Sequence, residues 1–450
     1  MDITTQKLMM GASAGGGGDS YYIQLFNGAP WRGTNGAFQP IPNSDETYVY
    51  FQINPTNVLT IRLDENGDPI WSTYCSNKEQ TVYDSAVDSL GNSYTVGRQS
   101  DSSSGIGYVH QILASGANGW SHTYGGNNGT QIMYGVCVNS TDQVIVQGQR
   151  NNAGSYYRAQ RMSFSNTDGS VYSVGPMVSD PTGNNQGVAN IVIDSNDNTY
   201  SAFERRDQFS SLDVPCLIKI DAYPYTTIPW VSVIKGDART YRCKACISPN
   251  DVIYLSFTID TGYAGQYTCI GKYDVNGNVA WTTSYSVSDS EGMNFKETCT
   301  DSEDNCYVLC QKSSGAPNYK SQSIIVKTDS TGAYVWSRKF AFDEALLGEA
   351  YPSNIQCDNN DNLIFVSYAI KDGIKQAFLA KLNPDGSGTG TYSGAGGTFE
   401  YSDYPVNQNS HNAGTASTAD NNSFGGETSG LSAVSLSVAS LTTTSTKINM

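Results

Sequence analysis

Histidine is nearly absent from this 450-residue chain: His110, His122 and His411 are the only three. They stand in unrelated contexts, so a histidine-based metal centre or a histidine general base has almost no raw material. Charge is scarce as well, at 15% of residues, and it leans acidic to a net −16. No basic stripe exists to neutralise phosphates, so nucleic acid is not an expected partner. No apolar run reaches the length of a membrane-spanning helix, which argues against membrane insertion. The start, "MDITTQKLMMGASAGGGG", carries one lysine and no extended apolar stretch, a poor match to a secretory signal. Helical periodicity is missing too; "FDEALLGEAY" at 342–351 reads as a loop.

What the chain has in abundance is glycine, 45 residues, and tyrosine, 30 residues. Their distribution is periodic. "LDENGDPIWSTY", "YDVNGNVAWTTSY" and "TDSTGAYVWSRKF" repeat Asp, Gly three positions on and Trp seven positions on: Asp64, Gly67 and Trp71; Asp274, Gly277 and Trp281; Asp329, Gly332 and Trp336. Asp and Gly at that spacing between strand-forming runs make a tight hairpin turn. The Trp fixes one large ring at one place on the following strand.

A second hairpin series alternates with the first, in "VDSLGNSY", "VNSTDQVI", "IDSNDNTY", "ISPNDVIY", "TDSEDNCY" and "CDNNDNLI", with "PNSDETYV" as a divergent first member. Seven hairpins of each series, with anchors about 45 to 57 residues apart, are the spacing of four-stranded blades. The expected fold is all-β, a seven-bladed β-propeller over 19–392, flanked by flexible or partner-ordered extensions. The outer strand of the last unit is missing after Gly386, so Tyr21 to Leu25 are expected to supply it and clasp the ring.

The run "IRLDENGDPIWSTYCSNKEQTVYDSAVDSLGNSYTVG" (61–97) resembles the SBBP repeat, a β-propeller repeat of bacterial secreted proteins and phage virion proteins. It matches at Asp64, Gly67, Trp71, Thr73, Tyr74, Asp84, Val87, Asp88, Gly91, Asn92, Tyr94 and Gly97, and departs from the pattern at Cys75. The short Leu/Met-Gly-Ala start is similar to those of phage tail and fibre proteins. The resemblance implies a non-enzymatic virion protein, assembled in the host cytoplasm and attached to other tail or fibre components. On this reading residues 1–18 are an anchoring segment centred on Leu8, Met9 and Met10 with a Gly linker, and 393–450 are a Ser/Thr/Gly-rich extension. In that extension Val434, Leu436 and Val438 alternate as in a strand that pairs with something.

Contact with a host glycan or protein is expected through aromatic loops bearing Trp31, Tyr156, Tyr157, Tyr223 and Tyr225, with homo-oligomerisation open. A secreted adhesin and a glycan-active propeller enzyme are the alternatives. The enzyme reading requires carboxylates clustered at the channel, and Asp84, Arg242, Lys244, Lys296 and Glu297 on the expected inner strands would line it as a mixed-charge, solvated wall. No cofactor or metal is expected. The ten cysteines fall at slots filled elsewhere by Leu, Ile or Phe and read as buried thiols. The turns "DSNDN", "DSEDN" and "DNNDN" lack the Gly and Glu of a calcium loop and read as hairpin turns.

Overall fold

Each sequence unit folds as two stacked hairpins, because its Asp and Gly satisfy the turn geometry locally. At Asp64 the side-chain oxygen accepts the N–H groups of Asn66 and Asp68 at 2.9 and 2.7 Å, and Gly67 closes the turn at φ +80°. Such a self-capped turn fixes the register of the strands on either side. The computed structural model describes residues 4–448 except 11–20, 31–35, 55–56, 77–78, 101–105, 125–130, 153–155, 175–185, 207–212, 223–227, 236–238, 261–264, 288–291, 314–320, 343–349, 372–373, 395–396, 410–413, 419–438 and 441–443.

Seven antiparallel sheets form the blades of a propeller. The strand preceding them is β1 (Thr4–Met10), followed by β2 (Tyr21–Pro30). Blade 1 is β3 (Gly36–Pro40), β4 (Thr47–Asn54), β5 (Asn57–Leu63) and β6 (Pro69–Ser76); blade 2 is β7 (Glu79–Val87), β8 (Ser93–Ser100), β9 (Ile106–Ile112) and β10 (Asn118–Tyr124). Blade 3 is β11 (Gln131–Val138), β12 (Val144–Asn152), β13 (Tyr156–Phe164) and β14 (Val171–Val174); blade 4 is β15 (Gln186–Ile193), β16 (Thr199–Arg206), β17 (Asp213–Ile220) and β18 (Trp230–Lys235). Blade 5 is β19 (Arg239–Ile247), β20 (Ile253–Asp260), β21 (Gln266–Tyr273) and β22 (Val279–Ser286); blade 6 is β23 (Gly292–Thr300), β24 (Cys306–Ser313), β25 (Ser321–Thr328) and β26 (Tyr334–Phe342). Blade 7 joins β27 (Ala350–Cys357), β28 (Leu363–Lys371) and β29 (Ile374–Leu382) to β2, so the first part of the chain completes the last blade.

The seams between blades explain the repeated Trp. Trp71, Trp120, Trp230, Trp281 and Trp336 each donate Nε1–H to a turn carbonyl of the next blade, at 3.0–3.2 Å. Each indole also lies flat against that turn's glycine. A β-carbon placed on Gly277 would sit 2.5 Å from Trp230, and one on Gly332 would sit 2.9 Å from Trp281. At the closing seam Tyr22 of the clasp strand takes the Trp position and covers Gly67. A buried tyrosine backs each Trp within its own blade, for example Tyr254 against Trp281 with ring centroids 5.8 Å apart.

The acidic turns link the blades in a second ring. Asp142, Asp197, Asp251, Asp304 and Asp361 hold left-handed φ of 60–63°. Asp142, Asp197, Asp251 and Asp361 accept the backbone N–H of Ser89, Ser140, Ser195 and Ser302 from the blade before, at 2.8–2.9 Å. Their carboxylates are thus spent on neighbouring turns. Nine described cysteines are free thiols, eight of them buried, as the core-slot reading expects.

Where they are described, both extensions pair with the propeller's own strands. Strand β1 pairs with β2 at the rim of blade 7. The other extension forms a hairpin of β30 (Gly390–Gly394) and β31 (Gly397–Asp403), then β32 (Asn407–Asn409), β33 (Gly414–Thr418), β34 (Ala439–Ser440) and β35 (Thr444–Ile448). These pair in turn with the outer strands of blades 6, 5, 4, 2 and 1, through β31 on β26, β32 on β22, β33 on β18, β34 on β10 and β35 on β6. The physical reason is the open edge: an outer strand presents unpaired N–H and C=O groups that any extended segment satisfies.

Substituting Gly277 by Ala combines left-handed strain with a clash against Trp230, and should cost about 3 kcal/mol in chemical denaturation. Gly265, at φ +101° with open space around its Cα, isolates the strain alone; Gly265→Ala should cost only about 1–2 kcal/mol. Deleting residues 1–18 removes only β1, whereas deleting 1–27 also removes the buried Tyr22, Ile23 and Phe26. The second truncation should lower the thermal midpoint far more, and equal midpoints would overturn the clasp.

Candidate functional site

The inner strands are not regular. Six of them carry a register shift at equivalent places: Val82/Asp84, Met133/Gly135, Val188/Asn190, Tyr241/Lys244, Phe295/Glu297 and Pro352/Asn354. A bulge bends its strand and re-aims the side chain that follows. That residue is Asp84, Gly135, Asn190, Lys244, Glu297 or Asn354, always four positions before the turn anchor. One level of the axial channel is therefore lined by a ring of polar and charged groups.

Asp84, Asn190, Lys244 and Glu297 are each bonded to the next blade. Asp84 Oδ2 accepts the Val136 N–H at 3.0 Å, and Asn190 exchanges two bonds with the Ala245 backbone at 2.7 and 2.9 Å. Lys244 Nζ donates to Glu297 Oε2, which also receives Asn354 Nδ2 at 3.3 Å. The buried Asn354 Oδ1 has no hydrogen-bond partner among the described residues. An acceptor left so is costly unless something from the channel satisfies it.

Electrostatics separates the two carboxyls. Asp84 keeps a little surface toward the axis but is otherwise enclosed, and burial pushes its carboxyl up to about 7, against the opposing pull of Lys244. Burial would lower Lys244, yet Glu297 and Asp84 outweigh it and raise it. Burial also pushes Glu297 up. The paired Lys244 ammonium opposes that rise. Blades 2, 5 and 6 supply these three residues. The inner strands thus carry two carboxyls in different environments, one enclosed and held by backbone N–H groups and one paired with an ammonium, the kind of contrast that separates acid from base roles.

At the bulges lie Tyr83 and Tyr134, half-buried with ring centroids 5.0 Å apart, together with Arg242 and Lys296. Burial and the Arg242 charge lower Lys296 to about 7. The five charged residues expected on the inner strands are all there, but Glu297 is buried and Lys244 is paired with it, so the wall is not the solvated one anticipated. The bulges, Asn190 and Asn354 were missed; the constant offset from the turn anchor was the available signal. His110 is buried and desolvation drives its imidazole down to about 4, outside any acid–base role near neutrality.

Other candidates fare differently. Tyr156 and Tyr157 begin β13, opposite Asn152 and Asn151 of β12. Leu8, Met9 and Met10 lie in β1, opposite Ile23, Tyr22 and Tyr21. Trp31, Tyr223 and Tyr225 fall outside the described residues. No group of three potential metal ligands is clustered among the described residues.

No protein-family model matches the chain, and no curated protein matches it. Solved structures are similar only distantly. A subtype N10 neuraminidase-like protein of A/little yellow-shouldered bat/Guatemala/060/2010 is 9% identical with a TM-score of 0.42, over 68% of this chain and 95% of that one. A europium-containing methanol dehydrogenase is 10% identical with a TM-score of 0.38, over 74% and 80%. An engineered GH43 glycoside hydrolase is 9% identical with a TM-score of 0.33, over 86% and 99%. Likeness at this level assigns no activity. These findings correct the expected SBBP-type phage assignment. No repeat-family model matches, and the similar proteins named are a neuraminidase-like protein, a dehydrogenase and a glycosidase rather than tail or fibre proteins. The non-enzymatic virion reading that rested on the assignment is withdrawn with it.

Titration of the site should be visible in stability. Folded Asp84 retains a proton up to about pH 7, whereas in the unfolded chain it loses it near pH ~4, so its contribution to stability falls as pH rises across that window. Lys296, lowered to about 7, acts oppositely, its contribution rising from pH ~7 toward ~10 as the unfolded chain gives up its proton. Denaturation of Asp84→Asn against the wild type over a pH series should abolish the fall below pH 7 and leave the upper limb. Parallel curves for the two proteins would contradict the assignment.

Proposed function

We propose that the protein is a glycan-active propeller that cleaves a glycosidic bond at the axial ring. The observation that carries this reading is that two carboxyls stand at equivalent bulges of the inner strands, Asp84, raised by burial to about 7, and Glu297, ion-paired with Lys244. Glycosidic hydrolysis asks for that division of labour: one carboxylic acid protonates the leaving oxygen, and one carboxylate acts on the opposite face of the sugar. Asp84 takes the acid role, because its proton persists to about pH 7. Glu297 takes the carboxylate role, and Lys244 is a positioning residue whose charge favours the ionised form. The unpartnered Asn354 Oδ1 beside Glu297 is an acceptor suited to a sugar hydroxyl. Tyr83 and Tyr134 add aromatic faces at the same level, of the kind that pack against sugar C–H surfaces.

The test is reducing-end release from a panel of polysaccharides and aryl glycosides. The wild type should turn over at least one of them, and Asp84→Asn should lower kcat by about 100-fold or more while leaving KM nearly unchanged. The alkaline limb of the pH profile, near 7, should disappear with Asp84. Absence of release from the whole panel, or equal turnover by wild type and Asp84→Asn, would refute the proposal.

A further inference from the structure

We propose that Arg242 and Lys296 form an anion-binding subsite in the axial channel, which takes a carboxylate or sulfate group carried by the ligand. The choice of a glycan as carrier rests on the function proposed above; the subsite itself stands on its own geometry.

The two cations belong to adjacent inner strands. On one side of them Tyr241 of β19 donates its hydroxyl to Asn294 of β23 at 2.9 Å, and on the other Lys244 of β19 is paired with Glu297 of β23. Arg242 and Lys296 lie between these contacts, each within the bulge of its strand. Two positive groups are thus brought together in a chain of net charge −16. Neither side chain has a carboxylate partner among the described residues. The nearby Glu204 is already engaged by the Arg242 backbone N–H, and Glu297 turns the other way, to Lys244. The guanidinium is exposed and rests over its neighbour's ring, 5.8 Å from the Tyr241 centroid.

Arg242 has φ +58°, and the other described non-glycine residues with positive φ, such as Asp142 and Asp304, sit in tight hairpin turns. The bulge sets Arg242 in left-handed geometry, which costs an arginine about 1–2 kcal/mol. Like-charge repulsion at one spot is tolerated where a ligand relieves it. A carboxylate or sulfate does so, since the guanidinium fork matches its paired oxygens and an ammonium supplies a point charge. The mostly buried Lys296, lowered to about 7 by burial and by Arg242, would regain its proton beside such an anion.

Calorimetric titration with D-glucuronate and with D-glucose tests the subsite directly. Glucuronate should bind the wild type at least about tenfold more tightly than glucose, and Lys296→Met should abolish that preference. Arg242→Gly should weaken glucuronate binding while raising the thermal midpoint, because glycine removes the strain; a merely structural arginine would lower it. Equal binding of the two sugars, or a preference that survives both substitutions, overturns the proposal. Loss of glucuronate binding alongside Asp84-dependent turnover of neutral glycosides would remove the subsite alone. Glucuronate selectivity without turnover of any glycan would leave the subsite standing and remove the acid–base reading.

Discussion

A tryptophan laid against a glycine of the neighbouring blade is the contact on which the ring depends. It works only as a pair, since the indole needs a turn without a side chain and the turn offers its carbonyl to the indole N–H. Blade 3 has no Trp on β14, and the corresponding turn of blade 4, "DAYPYTTIPW", has no glycine, so both halves are missing from the same seam. There a buried apolar cluster, with Ile145 and Ala159 facing Ile191 and Phe203, is joined by polar contacts: Arg161 bonds Ser201 across the seam at 3.0 Å, and Gln147 joins the same hydroxyl. Buried polar contacts of this type are directional and intolerant of loss, unlike an apolar face.

The axial ring obeys the opposite logic. Blade-to-blade bonds from Asp84 and Asn190 stabilise the ring, while Asn354 Oδ1 and the Arg242–Lys296 pair leave charge and hydrogen-bonding capacity unsatisfied. Departures from local consistency concentrate where six bulged strands meet, which is where a functional site is expected to sit. The propeller supports this because strain at the axis is spread over seven blades whose rims are well packed.

Much of this was legible in the chain. Asp64, Gly67 and Trp71 announced a hairpin and a fixed ring because those effects act within one unit. The second duty of the glycine, making room for the preceding blade's Trp, acts between units about fifty residues apart and leaves no local trace. The bulges were hidden for a related reason: one extra residue such as Tyr83 or Lys296 blurs the alternation without breaking it. The family assignment failed because blade spacing reports geometry, which unrelated propellers share. The rim strands went unread since "NQN" and "GTAST" pair through their backbones, and backbone pairing imposes little on side-chain identity.

Those rim strands run against the order of the blades, from blade 6 through 5 and 4 to 2 and 1. Each adds one backbone-paired strand to the outer edge of its blade. Under tension applied beyond Ile448, each rim strand would unzip from its blade separately, beginning at blade 1, before load reached the seams behind it. Mechanical work would be dissipated in small successive steps at the periphery, leaving the axial geometry intact until the rim strands had been drawn off.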